Sequence, residues 1–195
     1  MTAKKNSQDT LHEVEDRFIE NWGDISALWG VNRSMGRIHA LLFLAPDPLS
    51  MEEVATRLQI SHGNVSTSVR DLLAWGVIKR VHQSGERKIL YEAEQDPWTW
   101  FHTCIRERRR REVEPVRENL HEVKDFARQA AKEHKDSAEG RKLAITQAKV
   151  ENFTKYVDEF ADLIDAFLSM GSGTIGKFFR LAAKFVPKRK DLARK

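Results

Sequence analysis

LSMEEVATRLQISHGNVSTSVRDLLAWGVIKRVHQSGERKILYEA, Leu49 to Ala93, holds two helix starts, two helix ends and a hairpin in one unbroken order. Ser50 stands where an N-cap belongs, and Glu53 three residues on completes a capping box, so each side chain can satisfy a backbone N–H. Val54, Ala55 and Leu58 then recur at helical spacing. A short turn at Gln59-Ile60 leads to Ser61, a second N-cap, and to a second helix with Val65, Val69, Leu72 and Leu73 on one face. Gly76 falls where a left-handed helix stop is required. Two β-rich runs, at positions 77–82 and 88–91, flank a turn around Ser84-Gly85. Helix, tight turn, helix, hairpin is the order of a winged helix-turn-helix. The expected class is mainly α with a small β-hairpin wing.

The faces of the second helix follow from a turn of about 100° per residue. Val65, Val69, Leu72 and Leu73 must pack inward, while Gly63, Asn64, Thr67, Arg70 and Asp71 point outward with Ser66 on the flank. Short donors and acceptors near a helix N-terminus, with one Arg, are what a reader of the DNA major groove requires. Ser61 and His62 would meet backbone phosphate at the positive end of that helix. Asn64, Ser66, Thr67 and Arg70 would reach base edges or nearby phosphates. Gly63 costs helix propensity, so it serves either close approach of the backbone to DNA or tight helix packing. The wing sets Lys79, Arg80, Arg87 and Lys88 against Glu86, and Arg87 and Lys88 are the residues expected to grip DNA from it. The same head could instead dock on protein, with its basic residues merely solvated.

ISHGNVSTSVRDLLAWGVIKRV and GERKILYEAEQDPW, with the upstream WGVNRSMGRIHALLFLAPDPLSMEEVA, resemble the GbsR branch of the MarR-type regulators. The likeness covers roughly residues 10 to 125 and is most specific from Ser61 to Leu72 and from Gly85 to Lys88. It implies a dimeric cytoplasmic repressor or activator, repressor being the first reading, on a palindromic operator of double-stranded DNA. In some members a small-molecule effector releases it. The same resemblance bears on five tryptophans. Trp22 and Trp29 flank the end of the N-terminal helix, and Trp98 and Trp100 open a later one. Together they could cage a quaternary ammonium effector, since the branch includes sensors of choline-like osmoprotectants; otherwise they are core and interface packing.

Composition narrows the alternatives. The chain has 195 residues and a formal net charge of +4, so its overall field is modest and basicity is local. It concentrates in the wing, in Arg106 to Arg111 and in the tail at Lys188-Arg189-Lys190. A single cysteine, Cys104, excludes an internal disulfide and a multi-cysteine zinc site. Cys104 lies near Arg106 and Arg108, which leaves a redox-sensitive thiolate as the alternative to an inert structural thiol. His102 and Cys104 have no accompanying ligand pair, so no metal is expected. No nucleophile–base grouping comes with a locating motif, so neither an enzyme nor a cofactor is expected. No apolar run reaches membrane-span length, and MTAKKNSQDT lacks a signal-peptide core.

Four segments are expected: 1–30 a helical dimerisation segment, 31–96 the winged domain, 97–170 long helices for dimerisation or effector binding, and 171–195 an amphipathic helix with a basic tail. Residues 8–22 place Leu11, Val14, Phe18, Ile19 and Trp22 on one helical stripe. Ser34 to Ala45 reads as the buried first helix of the winged domain, ended by Pro46-Asp47-Pro48. Beyond Pro97, Val113, Val116, Leu120, Val123, Ala127 and Ala130 alternate in steps of three and four. So do Val150, Phe153, Val157, Phe160, Ile164 and Phe167, after a polar break near His134 to Gly140. These seams serve either a homodimer or the core of a monomer, and Pro115 predicts a start or kink in the first. Gly171 to Lys177 nearly spells a phosphate loop, but Phe178 stands where Ser or Thr should bind magnesium. Thr174 to Val186 would be a basic amphipathic helix that packs on the protein or lies on a membrane surface, with no stable insertion. The rivals to a sequence-reading regulator are a protein- or membrane-docking winged-helix protein and a sequence-independent DNA-coating protein.

Overall fold

A computed structural model describes residues 7–82 and 88–171, with Thr174 and Leu181. Along the chain run α1 (Ser7–Leu28), α2 (Arg33–Leu44), α3 (Met51–Leu58), α4 (His62–Trp75), β1 (Ile78–His82), β2 (Ile89–Ala93) and α5 (Pro97–Arg108). A π-helical turn (Arg109–Val113), α6 (Glu114–Glu133) and α7 (Ala138–Ser169) follow. The chain divides into two compact units between Thr103 and Cys104. The expected turn around Ser84-Gly85, the phosphate-loop lookalike and the amphipathic segment to Val186 lie outside the described residues or almost wholly so.

The first unit is built on α2, which packs against α1, α3, α4 and β2. Met35, Gly36, Ile38, His39, Ala40, Leu41 and Leu42 are all buried, so α2 is covered nearly all round as a central helix must be. Asn32 caps it by accepting a hydrogen bond from the Ser34 N–H at 2.8 Å. Helix α3 begins with the expected capping box: the Ser50 N–H donates to Glu53 Oε2 at 2.8 Å, and the Glu53 N–H donates to Ser50 Oγ at 3.3 Å. It ends at Gln59, whose φ of 53° is left-handed and reverses the chain for the three-residue turn into α4. The α4 N-cap is Ser61, accepting from the Asn64 N–H at 3.3 Å. Its C-terminal stop is Gly76 at φ 72°, where the Gly76 and Val77 N–H groups close the last turn onto Leu72 and Leu73.

The wing pairs β1 and β2 antiparallel, Ile78 opposite Ala93 through His82 opposite Ile89. A third short edge comes from the linker before α3. The Leu49 N–H donates to the Tyr91 carbonyl at 3.0 Å and the Tyr91 N–H donates to the Leu49 carbonyl at 2.8 Å. One residue of extended chain carries no period, which is why the sequence did not announce it.

Helix α1 runs six residues beyond the expected end at Trp22. Gly23 does not break it, because Gly23 is buried where α1 packs on α2. Its apolar stripe is only partly used: Ile19 is buried, whereas Leu11 and Val14 are 56% and 59% exposed.

In the second unit α6 and α7 form an antiparallel pair. Ascending positions on the first side meet descending positions on α7: Arg109 with Asp165, Arg117 with Asp158, Arg128 with Glu151. Pro115 stands at the start of α6, immediately after the π turn. Lacking an N–H, it cannot complete an ordinary α-helical bond back to the preceding turn, and the wider π turn accommodates its ring. The two expected stripes are each split. Val157 is buried, and Leu120, Ala127, Ala130 and Val150 are half-buried, but Val116, Val123, Phe153 and Phe160 are exposed. One neighbouring helix covers only one row of a helix surface, and α7 carries two adjacent apolar rows. The row that meets α6 includes Thr154, Val157 and Ala161, all buried.

Candidate nucleic-acid interface

Every α4 residue expected to face outward at the reading end is exposed: Ser61, His62, Gly63, Asn64, Ser66, Thr67 and Arg70. On the opposite face Val65, Ser68, Val69 and Leu72 are buried and Leu73 is half-buried; Asp71, also expected to point outward, is half-buried. The row begins at the N-terminal end of α4, where free N–H groups and the helix dipole present partial positive charge. A Cβ built on Gly63 would meet nothing within 4 Å. No described residue packs against Gly63, so nothing described supports the tight-packing reading, and its bare backbone faces open space.

Asn64 is not a loose surface amide. Its Nδ2 donates to Ser34 Oγ at 3.0 Å, and its Oδ1 accepts from Ser68 Oγ at 3.2 Å. Ser68 sits one turn further along α4, so the sequence held a signal for that contact in the i, i+4 spacing. Ser34 comes from the start of α2, thirty positions away, and only the fold brings it there.

The wing is less cationic than its composition implies. Lys88 pairs with Glu52 of α3 at 3.2 Å, and Lys79 pairs with Glu92 across the hairpin at 2.7 Å. Both Lys88 and Glu52 are well exposed, so the pair is worth at most about 1 kcal/mol and yields readily to a phosphate. Arg80 is exposed on β1, and Arg87 lies outside the described residues.

The arginine run is likewise not a free basic patch. Glu107 is buried and accepts from Arg110 at 2.7 Å and from Arg111. Those guanidiniums, Arg110 first, hold its carboxyl below the ordinary carboxylate range against the opposing effect of burial. Arg109, also buried, forks onto both oxygens of Asp165 at 3.1 and 3.0 Å and reaches Glu114. The run welds the π turn to α7, a role invisible without knowing that Asp165 lies opposite. Burial pushes the Cys104 thiol up to about 12, with Arg108 opposing, a direction that favours the protonated, less reactive thiol. Among the described residues no group of three or more His, Cys, Asp and Glu side chains could hold a metal.

Trp22 and Trp100, both candidate cage tryptophans, meet. They lie 5.2 Å apart between ring centroids, and His39 is 6.2 Å from Trp22 and 5.6 Å from Trp100. Phe43 and Phe18 extend the stack. Both ring nitrogens of His39 are buried without a hydrogen-bond partner among the described residues. Trp29 and Trp98, at 57% and 36% exposed, sit at the surface.

Capped helix, left-handed turn, second helix with an exposed polar row, and a hairpin bridged to the preceding linker define a winged helix-turn-helix protein. Residues 29–89 match the sequence profile of the MarR family. The chain thus carries a MarR-type domain in that segment. It is 25% identical over 175 residues to the HTH-type transcriptional repressor GbsR of Bacillus subtilis (strain 168), an alignment spanning 89% of this chain and 95% of that one. It is 28% identical to the putative HTH-type transcriptional regulator YvaV of the same organism, over 52% of this chain and 58% of that one. With the HTH-type transcriptional repressor OpcR, also from that organism, identity is 26% over 50% of this chain and 53% of the relative. The chain thus spans little more than half the length of the latter two.

Proposed function

We propose that this protein is a DNA-binding transcriptional regulator, a repressor in the first instance, that reads a two-fold operator as a homodimer. The observation that carries the reading is the exposed polar row from Ser61 to Arg70, rooted at a helix N-terminus and backed by the buried Val65, Val69 and Leu72. Ser61 caps the helix, but the exposed Ser66 and Thr67 beyond it do no capping work. A major groove calls for short polar side chains, because base edges offer donors and acceptors within reach of such groups. GbsR and OpcR are named repressors, which supports the sign of regulation.

The dimer reading has its support in apolar surface that is exposed among the described residues. On α7, Phe153, Tyr156, Phe160 and Leu163 are 56%, 60%, 45% and 67% exposed, and they repeat in steps of three and four. Leu11, Val14, Ile25 and Leu28 form a second bare stripe on α1. Two reading heads about one turn of duplex apart would then face a palindrome. The effector reading rests on the cluster of Trp22, Trp100 and His39, where an aromatic-faced cation would compete for the same rings. No described helix is long and apolar enough to cross a membrane. A cytoplasmic location goes with the reading, and it calls for no catalytic step.

The test is binding of the purified protein to its own upstream DNA against a scrambled duplex, across a salt series. A large preference is expected; equal, salt-sensitive binding to both would replace regulation by DNA coating, and no binding at low salt would point to protein or membrane docking. In the same assay Arg70→Ala should weaken specific binding by about 1–3 kcal/mol, the size of a bidentate contact to guanine. Lys88→Ala should weaken binding to every sequence and lower the salt slope by about one. Gly63→Ala should separate folding from binding. The open space round Gly63 lets the variant keep or gain thermal stability, by up to about 1 kcal/mol of helix propensity, while a backbone pressed against DNA would lose affinity. Unaltered affinity in Gly63→Ala would show that the backbone does not approach the duplex there.

A further inference from the structure

We infer that Ser34 and Ser68 are positioning residues that hold the Asn64 carboxamide ready to read one adenine, an inference that rests on the DNA-reading function proposed above. An exposed asparagine on a surface helix ordinarily samples several rotamers, and ordering it on binding opposes affinity. Asn64 is ordered before any duplex arrives. Its Nδ2 donates to Ser34 Oγ at 3.0 Å and its Oδ1 accepts from Ser68 Oγ at 3.2 Å, so both ends of the amide are tethered.

The tethers are themselves held. Ser68 is buried on the inner side of α4, where its hydroxyl has little freedom. Ser34 lies in the first turn of α2, which is fixed by the Asn32 cap through the Ser34 N–H at 2.8 Å. A continuous polar path therefore runs from the α2 cap to the reading face.

The chemistry left over decides the target. A carboxamide has two N–H donors and an oxygen with two lone pairs; Ser34 and Ser68 use one of each. One donor and one acceptor remain, and Asn64 is exposed. Adenine offers the complement in the major groove, N7 as acceptor and the N6 amino group as donor. Guanine offers two acceptors there and cannot satisfy both ends. Release of the tethers would let the amide rotate, and the same side chain would then discriminate less.

Selection of duplexes from a randomised pool tests this, with wild type, Asn64→Ala, Ser34→Ala, Ser68→Ala and Ser34→Thr. Wild type should select a motif with adenine favoured at one position of each half-site by about tenfold or more, the scale of a bidentate contact. Asn64→Ala should abolish that preference. Ser34→Ala and Ser68→Ala should reduce it several-fold while the rest of the motif and the melting temperature stay as in wild type. Ser34→Thr, which keeps the hydroxyl, should restore it. Both alanine variants should fold, because they remove a hydroxyl and leave no buried group unpaired. Full adenine preference in Ser34→Ala and Ser68→Ala would overturn the inference, as would an equal loss at every position of the motif, or a motif untouched by Asn64→Ala. Wild type selecting no motif at all is a different failure, that of the DNA-reading function itself.

Discussion

Acidifying the protein from pH 6.5 to pH 4 is expected to remove roughly 3 kcal/mol of stability from the amino-terminal unit, and His39 is the cause. Its ring is buried between Trp22, Phe43 and Trp100, none of which carries charge, and neither ring nitrogen has a hydrogen-bond partner among the described residues. Burial lowers its pKa from the ordinary 6.5 to about 4. In the unfolded chain the imidazole takes its proton near 6.5, while in the folded protein it stays neutral to about 4. The unfolded state therefore binds more protons throughout that window. Stability is complete above pH 6.5, falls by about 1.4 kcal/mol per unit between 6.5 and 4, and draws no further loss from His39 below that. The charged neighbour on the same helix, Arg37, points elsewhere, to Glu20 at 2.7 Å and the Leu58 carbonyl at 3.4 Å. Carboxylates held low by arginines, such as Glu107, contribute their own loss at more acid pH. Urea unfolding at a series of pH values, in wild type and in His39→Phe, separates the two. The variant keeps an aromatic ring and cannot titrate, so its stability should stay nearly level from pH 6.5 to 4.5. Parallel slopes in the two proteins would assign the loss to other groups.

Gly36→Ala is expected to destabilise the same unit by about 3 kcal/mol, at the upper end for a small-to-large change in a packed core. A Cβ at position 36 would lie 2.4 Å from Ser26 Oγ, 2.6 Å from Ser26 Cβ and 3.1 Å from the Gly23 Cα. The Ser26 Cβ is attached to the backbone and cannot swing aside, so α1 as a whole must retreat from α2. Alanine would gain up to about 1 kcal/mol in helix propensity, which the clash outweighs. Gly23→Ala is the matched control. Its tightest contact, at 2.7 Å, is with Arg37 Cγ, part of a long side chain that can shift, so it should cost less than half as much. Similar unfolding midpoints for the two variants would mean that α1 and α2 are not in the close contact described.

The reading head was legible because its signals are local. Ser50 with Glu53, Ser61, and Gly76 each act within one turn of chain, and the structure uses all of them as caps. The outward row of α4 was legible for the same reason: an amphipathic helix sorts its own faces. Less could be read where a residue's role depends on a partner far along the chain. Ser34 was absent from the candidate site because its relevance to Asn64 exists only once α2 crosses α4. The arginine run read as a basic patch because Glu107 is local but Asp165 is not, and a charge whose counter-ion lies 56 positions away looks free.

The helical stripes mark the boundary between the two kinds of knowledge. Steps of three and four at Val150, Phe153, Val157 and Phe160 state that α7 has apolar rows, and the sequence alone settled that. Which row meets α6 was decided by packing: Val157 is 8% exposed and Phe160 is 45% exposed, although both fit the same period. Periodicity constrains a helix with respect to itself, since side chains three and four apart share a face whatever lies outside. Burial, pairing and the held Asn64 amide depend on what is placed against that face. That is a property of the tertiary arrangement, and no local pattern of residues encodes it.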